Sequence, residues 1–183
     1  MMDCLIVVDL QNDYFAGGKM ELVGTEKAAQ NARLLLDRCR QSEPTVIHVQ
    51  HLSMGPGATF FLPETSGAEI HAAVAPKKDE IVVAKHFPNS FRETNLLKVL
   101  EDREIRDIVI CGAMSHMCID ATVRAAFDLG FNCIVAEDAC ATKHLTFNAR
   151  TVDASDVHAS FMAALSGTYA EVAPTQKIVA DMA

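Results

Sequence analysis

Residues 107–122 read D-I-V-I-C-G-A-M-S-H-M-C-I-D-A-T. The apolar run Ile108, Val109, Ile110, Cys111 suits a strand buried on both faces, and it stops at Gly112. Shortly after, Cys118 opens an amphipathic helix expected over Met117–Leu129. A thiol therefore stands just past the carboxyl end of a buried strand and at the amino end of a helix. Ligands of open α/β sheets bind along that edge. The helix dipole and its free N–H groups are expected to favour a thiolate there.

The same alternation extends in both directions. Strand-like runs fall at Cys4–Asp9, Thr45–Gln50, Glu80–Lys85, Phe131–Ala136 and Tyr169–Val172. Helical patterns separate them at Thr25–Gln41, from Thr94 to about Glu104, at Ser155–Leu165 and at the carboxyl terminus. This order implies a single α/β domain spanning 1–183, with three α/β/α layers around a mostly parallel, six-stranded, Rossmann-like sheet. The exception is Gln50 to Glu80, a long segment rich in Gly and Pro that carries Phe60, Phe61 and Leu62. Such loops wall binding sites or pack at interfaces between subunits.

Composition narrows the function classes. The net charge is −8, with no Lys/Arg cluster, which argues against nucleic-acid and anionic-membrane partners. No apolar run reaches the ~20 residues of a membrane-spanning helix, and the amino terminus reads as a strand, not a signal peptide. The six cysteines form no C-x-x-C pair and no zinc spacing. A reduced, cytoplasmic protein is expected, as a homo-oligomer (dimer or tetramer) acting on a small molecule, with no metal and no cofactor.

Three strand ends carry groups suited to chemistry. Asp9 closes the first strand in D-L-Q-N-D-Y-F (9–15), Lys85 the third in A-K-H-F-P-N-S-F (84–91), and Cys118 follows the fourth. In a parallel sheet these ends share one edge, so residues remote in sequence can meet. With C-G-A-M-S-H-M-C-I-D-A-T (111–122), A-A-F-D-L-G-F (125–131) and A-E-D-A-C-A-T (136–142), these motifs resemble the isochorismatase-like cysteine hydrolases, the superfamily that includes nicotinamidase and N-carbamoylsarcosine amidase.

The resemblance implies that Asp9, Lys85 and Cys118 are a catalytic triad. It also implies a cis peptide at Ala113–Met114 that aims the Met114 N–H, with that of Cys118, at an oxyanion. Asp9 would take the thiol proton, Lys85 would stabilise the anionic pair, and a thioester would be hydrolysed by water. Gln11, Phe15, Phe61, Phe87 and Phe91 are candidates to line the pocket. Nicotinamidases carry Asp-x-His after the second strand, whereas this chain has His48, Val49, Gln50, His51. Without a carboxylate there, and with the two histidines expected on opposite faces, no metal is assigned. An isochorismatase-type reaction on another substrate, or an idle family member acting as an interaction subunit, are the alternatives. A strand-one phosphohydrolase fails at D-x-D, and no G-x-G-x-x-G follows the first strand.

Overall fold

The computed structural model describes residues 2–42 and 44–182. Six strands form one sheet: β1 (Cys4–Val8), β2 (Thr45–His51), β3 (Ile81–Lys85), β4 (Asp107–Ala113), β5 (Asn132–Ala141) and, after a small hairpin, β8 (Glu171–Ala173). Their spatial order is β3-β2-β1-β4-β5-β8, and every neighbouring pair is parallel. The chain builds outward from β1 through β2 and β3, then returns to the other side of β1 with β4. The switch point therefore lies between β1 and β4, where a parallel sheet leaves a crevice at its carboxyl edge.

Alternation sorts the central strands onto two cores. Leu5 and Val7 of β1, with Val109 and Cys111 of β4, face α1 (Thr25–Cys39) and α5 (Thr175–Asp181). Cys4, Ile6, Val8, Ile108 and Ile110 face α2 (Leu96–Glu101), α3 (Asp120–Asp128) and α4 (Ala154–Leu165). All five residues of β1 are buried, as its unbroken apolar run requires. In α1 the spacing of Ala28, Ala32, Leu35, Leu36 and Cys39 gives one buried stripe. Where β1 and β4 pair, Gly112 lies opposite Val8 at φ +126°, and a Cβ there would come 1.9 Å from the Val8 carbonyl oxygen. Only glycine fits.

Three local expectations change. β5 continues past Ala136 to Ala141, because the β4–β5 register shifts between Ile110 and Gly112, so that Cys140 and Ala141 rejoin the sheet. A hairpin of β6 (Leu145–Phe147) and β7 (Arg150–Val152) turns through Asn148 and Ala149, both at positive φ. Alanine seldom adopts that backbone, so the segment carried no Asn-Gly signal. The helix expected from Met117 begins instead as a wide π-type turn over Ser115–Ile119. There the Met114 carbonyl accepts from both Met117 N and Ile119 N, and α3 starts at Asp120.

Candidate active site

Along the carboxyl edge the sheet order sets four side chains in a row: Lys85 on β3, His51 on β2, Asp9 after β1 and Cys118 after β4. Lys85 reaches past its neighbouring strand, and its Nζ lies 2.7 Å from Asp9 Oδ2, 3.0 Å from His51 Nδ1 and 3.4 Å from Cys118 Sγ. Asp9 and Lys85 are fully buried, and Cys118 is 3% exposed. Among the described residues Asp9 Oδ1 is one of two buried side-chain polar atoms without a partner, the other being His48 Nδ1. A buried, unpaired carboxylate oxygen beside a thiol is poised to accept its proton.

The surrounding motifs hold this row in place. Asp9 sits at φ +52°, a left-handed conformation that Asp tolerates better than most residues, and it turns the chain sharply out of β1. Gln11 Oε1 accepts from His51 N at 2.7 Å, while Gln11 Nε2 donates to His51 O at 2.8 Å and to Ala68 O at 2.7 Å. Its amide thus grips both backbone groups of His51 and pins the long loop. Asp13 accepts from Phe61 N and Lys19 N. Ser90 and Thr122 share hydrogen bonds (Oγ···Oγ1 2.8 Å), tying the segment after Lys85 to the helix after Cys118. His116 meets Thr142 Oγ1, and Ser115 Oγ meets His158 Nδ1 at 2.8 Å, which anchors the π-type turn to β5 and α4. The Ala113–Met114 peptide is cis, at the point where β4 enters that turn.

Electrostatics overturn one expectation. Burial, and then the Asp9 carboxylate, push the Cys118 thiol well above its ordinary range, although Lys85 acts in the opposite direction. A helix terminus is worth ~0.3–1 kcal/mol, under one pKa unit, whereas full burial shifts a group by up to ~3–5 units. Burial wins, and the resting sulfur is a thiol. Burial disfavours the Lys85 charge, yet Asp9 and Cys118 hold its pKa above that of a free lysine. Burial and the Lys85 ammonium drive the His51 imidazole down to about 4.

Asp9, His51 and Cys118 present ligand atoms within 4.8 Å of one another, as a metal site would. The Lys85 ammonium, however, lies within hydrogen-bond reach of all three. A second cation there would meet the like charge of Lys85, with Asp9 Oδ2 and His51 Nδ1 already engaged, so the cluster is ill suited to a metal. His48 and His51 do take opposite faces, and His48 pairs with Glu80 at 3.0 Å.

Of the five side chains expected to line a pocket, Phe61 packs in the core 6.0 Å from the His51 ring. Gln11 is a buried clamp. Phe15 stacks on His71, Phe87 lies under the Arg92 guanidinium, and Phe91 packs on Phe131. Sequence reasoning passed over Tyr14, a buried phenol 4.5 Å from the Phe61 ring whose pKa is raised by burial and by Cys118 and Asp9. Its only sequence signal was its place inside D-L-Q-N-D-Y-F.

The Isochorismatase domain family matches residues 3–176. The chain belongs to this family. It is 51% identical to the uncharacterized isochorismatase family protein YddQ of Bacillus subtilis (strain 168), over 96% of this chain and 98% of that one. A solved structure from Oleispira antarctica, assigned to the isochorismatase hydrolases, superimposes with a TM-score of 0.94 at 53% identity, covering 97% and 95% of the two chains. Streptothricin hydrolase of Streptomyces noursei is 32% identical over 93% of this chain and 58% of its own length. Nicotinamidase of Escherichia coli (strain K12) is 30% identical over 74% and 81%. This isochorismatase-family protein is accordingly a hydrolase by kinship, with amide-cleaving relatives nearby.

Proposed function

We propose that the protein is a metal-independent cysteine hydrolase that cleaves a C–N bond of a small amide-type molecule through a thioester. The observation that carries this reading is the buried Lys85–Asp9 pair, with one Asp9 oxygen unpaired beside the Cys118 thiol. Asp9 takes the thiol proton as Cys118 Sγ attacks the substrate carbonyl, and the Lys85 ammonium, 3.4 Å from sulfur, stabilises the anion formed. The N–H groups of Met114 and Cys118 hold the oxyanion. Asp9 returns the proton to the departing nitrogen, leaving an acyl-enzyme. It then deprotonates a water that attacks the thioester, which releases the acid and restores the thiol.

Streptothricin hydrolase and nicotinamidase among the relatives support the C–N class over the vinyl ether of isochorismate. The reading includes a cytoplasmic setting, in keeping with six free, buried cysteines, and self-association as a dimer or tetramer. Intact-mass spectrometry during turnover on a panel of small amides tests the core of it. Wild type should carry an acyl adduct that Cys118→Ala cannot form. Asp9→Asn, which keeps the left-handed turn, should lose ~10²–10⁴-fold in rate. Near-normal activity in Cys118→Ala would sink the proposal.

A further inference from the structure

His51 takes no part in the steps above, yet it stands in the middle of the row. Gln11 fixes its backbone from both sides, and the parallel register places it directly beside Lys85. A lysine ammonium can only donate, so His51 Nδ1, 3.0 Å away, accepts. Neutral imidazole then carries its proton on Nε2, an assignment set by the partner and not by an observed hydrogen. That Nε2–H has no partner among the described residues. It is also not among the buried unpaired atoms, and His51 is only partly buried, so the atom is open to a ligand. The site therefore holds a fixed, neutral donor with no acceptor for its hydrogen bond among the described residues.

Its position limits what it can receive. The proposed oxyanion donors, Met114 and Cys118, lie on the β4 side of Asp9, whereas His51 lies on the β2 side. With the oxyanion assigned to those two N–H groups, the His51 donor is left for a different acceptor atom. The charges in the cluster are one ammonium and one carboxylate, already paired at 2.7 Å, and Lys85 is the only cation hydrogen-bonded into it among the described residues. A carboxylate brought against His51 would find no free positive charge, while a neutral acceptor pays no such penalty.

Resting on the proposed cysteine mechanism, we infer that His51 is a specificity residue. Its Nε2–H donates to a second, uncharged acceptor atom of the substrate, beside the scissile carbonyl. Preferred substrates are thus neutral amides that carry another carbonyl or equivalent acceptor next to the bond cleaved. The Lys85 contact makes His51 a fixed donor by locking its tautomer.

Two thiol reagents with the same leaving group test this without knowledge of the substrate. Chloroacetamide offers one carbonyl and N-chloroacetylurea offers two. Labelling of Cys118 is followed by peptide mapping, with each rate divided by that for glutathione. Wild type should prefer the acylurea by about 3–10-fold, the value of one neutral hydrogen bond. His51→Asn keeps an acceptor for Lys85 but loses the outer donor, and His51→Phe loses both, so the preference should fall to about 1 in each. His51→Gln, whose amide reaches the Nε2 position, should restore part of it. No preference in wild type, or an unchanged preference in His51→Asn, overturns the inference. So does a loss in His51→Gln as complete as in His51→Phe, which would make the role one of ring packing. Absence of Cys118 labelling by either reagent in wild type also overturns the inference, whereas near-normal turnover in Cys118→Ala is the distinct result that would overturn the cysteine mechanism itself.

Discussion

Replacing Lys85 with methionine keeps a side chain of similar length and removes only the charge. The consequence follows from burial: Asp9 and Lys85 are both 0% exposed, Oδ2 loses its 2.7 Å partner, and Oδ1 has none to begin with. Leaving one member of a buried ion pair uncompensated costs ~3–5 kcal/mol. For a domain of this size each kcal/mol moves Tm by ~2–4 °C, so Lys85→Met should melt ~6–20 °C below wild type. Replacing the pair together, as Asp9→Asn/Lys85→Met, leaves no buried charge and should recover most of that stability, since neutral replacements of buried pairs are often well tolerated. Activity should be absent in both, because neither the ammonium nor, in the double variant, the base remains. Urea and thermal unfolding followed by circular dichroism, with turnover on the amide panel, read the two effects separately. A Lys85→Met protein within ~1 kcal/mol of wild type would refute the buried-pair argument. A double variant no more stable than the single one would show that the loss came from packing and not from charge.

Gly112→Ala should destabilise by about 2–6 kcal/mol in urea titration, from a strained backbone and a Cβ driven to 1.9 Å from Val8 O; a loss under ~1 kcal/mol would show that the strands separate freely there. Turnover should be unchanged by prolonged treatment with EDTA, because the Lys85 ammonium stands beside all three candidate ligand groups and repels a second cation; loss restored by zinc or manganese would show the opposite. Stability should be level between about pH 6.5 and 8 and decline below that window. Burial lowers the folded pKa of His48, His51 and His116, His51 to about 4, so the unfolded chain takes up protons near 6.5 that the folded chain refuses. Urea midpoints that stay constant from pH 7 to about 4.5 would contradict that linkage.

The order of elements, the parallel sheet and the meeting of Asp9, Lys85 and Cys118 were all legible in the linear chain. Apolar runs such as Cys4–Val8 and Ile108–Cys111 can only be strands covered on both faces, and parallel strands separated by helices bring their carboxyl ends to one edge. Residues at those ends must then face one another whatever their separation in sequence. What the sequence could not decide depends on neighbours that local pattern does not name. Nothing near Gln11 in the chain announces that its amide will grip His51 and Ala68, and nothing near Phe91 says that it will stack on Phe131. The state of Cys118 turned on the same point. Its place before a helix suggested a thiolate, because the helix is written in the sequence, but burial is set by the whole fold and has the larger effect. His51 looked like a stray histidine at a strand end until the sheet order put it between Lys85 and Asp9. Periodicity determined which strands and edges this protein has, and only tertiary packing decided how wet, how charged and how crowded each residue on that edge would be.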